Sequence, residues 1–182
     1  MPGIVELRPD GLADFAFGRP MVEVLPGLVG LLGEPREDIR MHGDIPFGYG
    51  GMETTARVVT FGGLEVVFHD WSGYFREDGV MHLVAWGAEG RWTSAGVVLA
   101  TPEGISVGDG VAELRTAFGP ALHLPDVDLP GCAGPPWYFA VEPGEPWGLI
   151  GSLDAPPSGP GAAVTRLSAG AQREGWMPCW QP

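Results

Sequence analysis

The sequence predicts an α+β fold in which one helix-plus-sheet module occurs twice. Three observations predict it: a helical stripe that recurs at a constant offset, short β-rich runs behind each copy of the stripe, and glycine and proline at matching places. The stripe carries Met21, Val24 and Leu28 onto Val111, Leu114 and Phe118, each 90 positions on (111 − 21, 114 − 24, 118 − 28). Both triplets fall at i, i+3 and i+7, the pattern of a helix lying on a core.

Ahead of the first helix, Pro9-Asp10-Gly11-Leu12 parallels Pro102-Glu103-Gly104-Ile105 ahead of the second, and Phe17-Gly18 parallels Val107-Gly108. A glycine in each copy permits the sharp turn into the helix. Glu23 falls on Glu113, and the helices stop at Gly33-Glu34-Pro35 and at Gly119-Pro120. The first helix is expected to be one turn longer than the second and to kink or break at Pro26-Gly27.

Behind the first helix, "TARVVTF", "LEVVFH" and "VMHLVAW" are β-rich runs, the first two joined by Gly62-Gly63, a two-residue hairpin turn. Behind the second, "WYFAV", "GLIGSL" and "AVTRLSA" take the same places, and "TSAGVVLAT" is a further strand at the seam. The expected architecture is therefore a tandem pair of modules, residues 1–96 and 97–182. Each is one helix with a three- to four-stranded antiparallel sheet, the helices lying on one side. Each half alone would bury too little surface to be stable, so the two are expected to share one compact unit.

Hairpin geometry sorts the first sheet. Phe61 and Leu64 flank the turn and face one another, which puts Val59, Phe61, Leu64, Val66 and Phe68 on the core face. Simple alternation adds Met81, Leu83 and Ala85 to that face. It leaves Val58, Thr60, Glu65, Val67, His69, His82, Val84 and Trp86 on an outer face, with Tyr138, Ile150, Ser152 and Arg166 in the second half. That outer face is more apolar and aromatic than a solvated sheet face needs to be.

Composition narrows the function. Ten basic and 23 acidic residues give a formal net charge of −13, which repels nucleic acid and anionic lipid. Every basic residue is arginine, so Schiff-base and P-loop lysine chemistry are excluded. No apolar run is long enough to span a bilayer, and the stretch "MPGIVELRPDG" lacks a basic region followed by an apolar one, so no signal peptide is expected. The expected location is cytoplasmic, or secreted if Met1 replaces a removed signal. Cys132 and Cys179 show neither zinc nor redox spacing; they are either a single bridge or two buried thiols.

Candidate binding residues fall in three groups. The loop "MHGDIPFGYGGME" offers Phe47 and Tyr49, but it leads into a strand and so does not cradle phosphate. The loop 68–79, "FHDWSGYFREDG", offers Trp71, Tyr74 and Phe75, the composition of a binding hot spot. The outer sheet face offers Trp86, His69, His82 and Glu65, the last three in positions to converge on neighbouring strands. The four histidines show no ligand spacing, so neither metal nor cofactor is expected, and no serine or cysteine has the setting of a nucleophile.

The tandem motifs "PDGL…FG" and "PEGISVGDGVAELRTAFG" resemble those of uncharacterised actinobacterial tandem-repeat proteins. They are more distantly similar to the β-lactamase inhibitor protein and the small outer-membrane assembly lipoproteins. The resemblance implies two helix-plus-sheet halves whose exposed sheet and loops grip another protein. The leading expectation is thus a non-enzymatic protein-binding module, inhibitor- or immunity-like, whose partner carries a basic patch. The rivals are a small-molecule enzyme or carrier of isomerase or cyclase type with an apolar cleft between the halves, and a structural subunit of an assembly.

Overall fold

A computed structural model describes residues 3–43, 54–70, 80–124, 137–141, 148–159 and 161–170 of the chain. Phe47, Tyr49, Trp71, Tyr74, Phe75, Cys132 and Cys179 lie outside the described residues. In chain order the elements are β1 (Ile4–Arg8), β2 (Gly11–Leu12), β3 (Phe15–Ala16), α1 (Met21–Leu32), β4 (Glu37–Gly43), β5 (Thr54–Phe61), β6 (Leu64–His69) and β7 (His82–Ala88). Then follow β8 (Val98–Ala100), α2 (Val111–Phe118), β9 (Leu122–His123), β10 (Trp137–Val141), β11 (Leu149–Leu153) and β12 (Val164–Gly170). The protein is of mixed helix and strand content, and sheet dominates.

An eight-stranded antiparallel sheet runs β4-β5-β6-β7-β12-β11-β10-β9. The last strand of the first meander, β7, therefore pairs with the last strand of the second, β12, through Ala85↔Gly170, Trp86↔Ala169, Gly87↔Ser168 and Ala88↔Leu167. A four-stranded sheet, β3-β2-β1-β8, holds a parallel β1–β8 pair. That second sheet was not foreseen beyond β8, because β2 and β3 are only two residues long and leave no periodicity to read.

The first hairpin follows its prediction. Phe61 pairs with Leu64 across the Gly62-Gly63 turn, where Gly62 takes φ +66°. A side chain there would also strike the backbone of Thr93 and Ser94. Val59, Phe61, Leu64, Val66 and Phe68 are fully buried, each worth about 1.5 to 3 kcal/mol of transfer free energy. They form one core cluster with Val24, Leu28 and Leu32 of α1, Val111, Leu114 and Phe118 of α2, and Phe139, Leu149 and Leu167 of the second meander.

The third strand departs from strict alternation. Val67 pairs with Ala85 but Phe68 pairs with Leu83, so Val84 is an extra residue, a β-bulge. The bulge shifts the face of everything after it. Trp86 therefore pairs with Val66 on the core face, fully buried, and Ala85 turns outward; both assignments correct the sequence reading. The Trp86 indole N–H donates to the carbonyl oxygens of Arg8 (2.9 Å) and Gly11 (2.7 Å), which ties the β1–β2 turn to the large sheet. β12 bulges in the corresponding place: Ser152 pairs with Arg166 and Leu153 with Val164, leaving Thr165 as the extra residue.

Matching bonds fix the start of each helix. The Gly18 N–H donates to the Leu83 carbonyl (2.8 Å) and the Leu83 N–H to the Arg19 carbonyl (2.9 Å). At the second helix, the Gly108 N–H donates to the Val164 carbonyl and the Val164 N–H to the Asp109 carbonyl, both at 2.8 Å. Gly18 and Gly108 take φ +84° and +95°, the left-handed conformation that the clamp requires and that glycine adopts at little cost. Met21 then donates to Met81, and Val111 to Ala162.

The helices have 12 and 8 residues, so the first is longer by one turn, as expected. The expected break at Pro26-Gly27 does not occur; α1 is continuous with Pro26 inside it. Pro26 removes only the bond to the carbonyl of Val22, which is exposed to water. Glu23 and Glu113 behave differently for a local reason. Glu113 accepts the Gly110 N–H at 3.1 Å, whereas Pro20 has no N–H to offer and Glu23 takes the Arg19 guanidinium at 2.7 Å.

Candidate binding surface

On the face opposite the core, a row of side chains crosses the whole large sheet. It runs from Glu37 through Thr60, Glu65, Gly87, Ser168, Ile150 and Ala140 to His123. Tyr138, Ser152 and Arg166 form the neighbouring row over β10 to β12. Beside Arg166, the two central strands carry small residues on this side, Ala85, Gly87, Ser168 and Gly170, of which Ala85 and Ser168 are buried. They make a low floor between the larger residues of β6 and β11.

The arginine explains the glycine. A Cβ on Gly87 would stand 2.8 Å from the guanidinium of Arg166, which lies across that position and pairs with Glu89. Gly87 is thus the gap through which a charged group crosses the seam. Val58, Thr60, Glu65, Tyr138, Ile150, Ser152 and Arg166 are half-buried, which leaves part of each accessible.

The other end of the outer face is closed. Ala56, Val67 and Ala85 are buried there and stand outside the core cluster of the opposite face. His69 and His82 are directly paired across β6 and β7 and are 8% and 6% exposed. Burial pushes the His69 imidazole below the ordinary histidine range, and the neighbouring Asp70 carboxylate opposes that shift in part. Asp70 is itself held by the Thr55 N–H at 2.8 Å.

Of the predicted site residues, the structure brings His69 and His82 together and separates Glu65 from them. Glu65 faces Thr60 and Gly87, four residues back along β6 from His69, roughly 13 Å at strand rise. The expected convergence of Glu65 with the two histidines is thereby corrected. Trp86 leaves the candidate surface for the core. Among the described residues, no three His, Cys, Asp or Glu side chains come together to hold a metal ion. The hydroxyls of Ser106 and Ser168 donate to the backbone carbonyls of Leu99 and Ile150.

Sequence reasoning did not single out Gly87 and Arg166 as a unit, because their contact depends on the β7–β12 register, which no local pattern encodes. No helix among the described residues is long and apolar enough to cross a membrane. No family model, no curated protein and no solved structure matches the chain.

Proposed function

We propose that this protein is a non-enzymatic binding module of inhibitor or immunity type, built from two copies of one helix-plus-sheet unit, which grips another protein with the outer face of its large sheet. The two copies are residues 1–96 and 97–182, joined at the β7–β12 pair with their helices on the core side. Four like features support the duplication: the glycine clamps at the helix starts, the bulges at Val84 and Thr165, the meander order and the antiparallel seam.

The observation that carries the binding role is the contrast between the two faces of one sheet. One face is dry core. The other presents partly accessible Tyr138, Ile150 and Val58 beside Glu65 and Arg166. Such a mixture of aromatic, aliphatic and arginine side chains supplies anchoring groups for a protein partner. The net charge of −13 favours a partner with a basic patch and speeds its approach at low salt. Trp71, Tyr74 and Phe75 of the 68–79 loop remain proposed contacts on their composition. A cleft between the halves has less support, because the seam is a hydrogen-bonded ladder.

Affinity capture with the wild-type chain and with a Tyr138→Ala/Ile150→Ala double variant tests the proposal. The expected result is at least about a tenfold loss of affinity for the captured protein, with the circular dichroism of the variant unchanged. Equal capture by both would refute the outer face as the contact surface.

A further inference from the structure

The large sheet is open along β4. Among the described residues β5 is the one strand that pairs with it, and Glu37, Asp38, Ile39 and Arg40 are all exposed, Ile39 by 50%. Such an edge offers backbone donors and acceptors to a further strand. Its two faces differ. Ile39 lies opposite Val58 on the outer face, whereas Asp38 and Arg40 lie opposite Val59 and Arg57 on the core side. Asp38 is held by Arg57, and its side chain is still 37% exposed.

We propose that β4 is a self-recognition edge, along which a second copy of this chain adds its own β4 antiparallel, about a two-fold axis through Ile39. Symmetry restricts the register. A two-fold axis that joins two sheet edges side by side stands perpendicular to the sheet, so core face continues into core face and one residue of the strand sits on the axis. Several axis positions overlap most of β4, and charge chooses among them. An axis at Arg40 sets Arg40 against Arg40. An axis at Met41 sets Arg40 against His42 and leaves Asp38 outside the paired stretch. An axis at Ile39 sets Ile39 against Ile39, and Asp38 of each copy against Arg40 of the other.

Directly opposed unlike charges stabilise a strand pair and like charges destabilise it, so the register about Ile39 is favoured. It gives Arg40, which faces Arg57 within its own chain, a carboxylate across the axis. It also joins Ile39 and Val58 of both copies into one apolar strip on the outer face. The charges that guard the edge against indiscriminate pairing thus admit one self-complementary register. Two chains of net charge −13 repel at long range, so the contact is weak and forms where salt screens that repulsion. The inference stands apart from the outer-face reading, since pairing along the β4 edge leaves the row of Tyr138 and Ile150 uncovered.

Sedimentation velocity of the full chain from about 10 µM to about 1 mM, in about 0.15 M salt, tests it. The expected result is a weight-average mass that rises with concentration from 19.2 kDa towards twice that value. Arg40→Asp puts a carboxylate opposite Arg57 within the chain and opposite Asp38 of the second copy; it should fold and weaken self-association by about tenfold or more. An equal mixture of Arg40→Asp and Asp38→Arg chains should associate again. In the wild type, NOE contacts between labelled and unlabelled chains should join Ile39 methyls to Ile39 methyls, and this arm decides if either variant fails to fold. A chain that stays monomeric throughout, a dimer that folded Arg40→Asp leaves equally tight, a mixture of folded variants that does not associate, or a dimer without the Ile39 contact would overturn the edge pairing.

Discussion

Trp86 shows how much one residue can decide. Among the described residues it is the largest fully buried side chain, and its indole N–H donates to two backbone carbonyls next to the core. Trp86→Phe keeps an aromatic ring but removes the donor to those carbonyls, and should destabilise the fold by about 1 to 3 kcal/mol. Trp86→Ala should cost about 3 to 5 kcal/mol. Urea denaturation measures both, and a cost near zero would mean the ring faces solvent. A second effect at this scale is acid titration at Asp38. The Arg57 guanidinium, bonded to both carboxylate oxygens, holds Asp38 below its ordinary value of 3.8. The stability this pair contributes is complete above that ordinary value and is lost as pH falls through the lower folded-state value. NMR titration should find the Asp38 carboxyl below 3.8 in the wild type and back towards 3.8 in Arg57→Gln.

At the scale of elements, glycines of opposite purpose share one helix. Gly30 faces open space in α1, so Gly30→Ala should stabilise the protein by about 0.5 to 1 kcal/mol. Gly27 lies under the ring of Phe15, whose Cζ would be 2.4 Å from an added Cβ, so Gly27→Ala should destabilise by about 1 to 3 kcal/mol. Thermal denaturation distinguishes the two, and the same sign at both positions would contradict the seat of Phe15. Elements of this kind were largely legible in the sequence. The stripes of α1 and α2, the Gly62-Gly63 hairpin and the second meander are local patterns, and local patterns survive in a single chain. The bulge at Val84 was not legible, because "HLVAWGA" alternates as well with Trp86 outside as inside; only the partner strand β6 and the carbonyls of Arg8 and Gly11 decide. For the same reason the sequence placed His69 and His82 on one face correctly and wrongly drew Glu65 towards them. Strand β4 was also missed, because charges at Glu37, Asp38 and Arg40 mask its extended character, although such charges suit a strand that ends a sheet.

At the scale of the whole molecule, the eight-stranded sheet is two meanders meeting along β7 and β12, and the seam fixes which residues reach the outer face. The like clamps should answer like changes alike: Gly18→Ala and Gly108→Ala each force a side chain into a left-handed conformation, at roughly 1 to 2 kcal/mol apiece. The low central floor of Ala85, Gly87, Ser168 and Gly170, and the reach of Arg166 across Gly87, exist only if β7 and β12 pair in the register seen. Backbone NOE contacts across that seam are the most direct measurement. The account predicts an antiparallel ladder that joins Ala88 to Leu167, Gly87 to Ser168 and Trp86 to Ala169, interrupted in the flanking ladders at Val84 and Thr165. Contacts displaced by one residue would turn Trp86 outward or bury Arg166, and contacts absent altogether would leave two separate sheets; either result would contradict it.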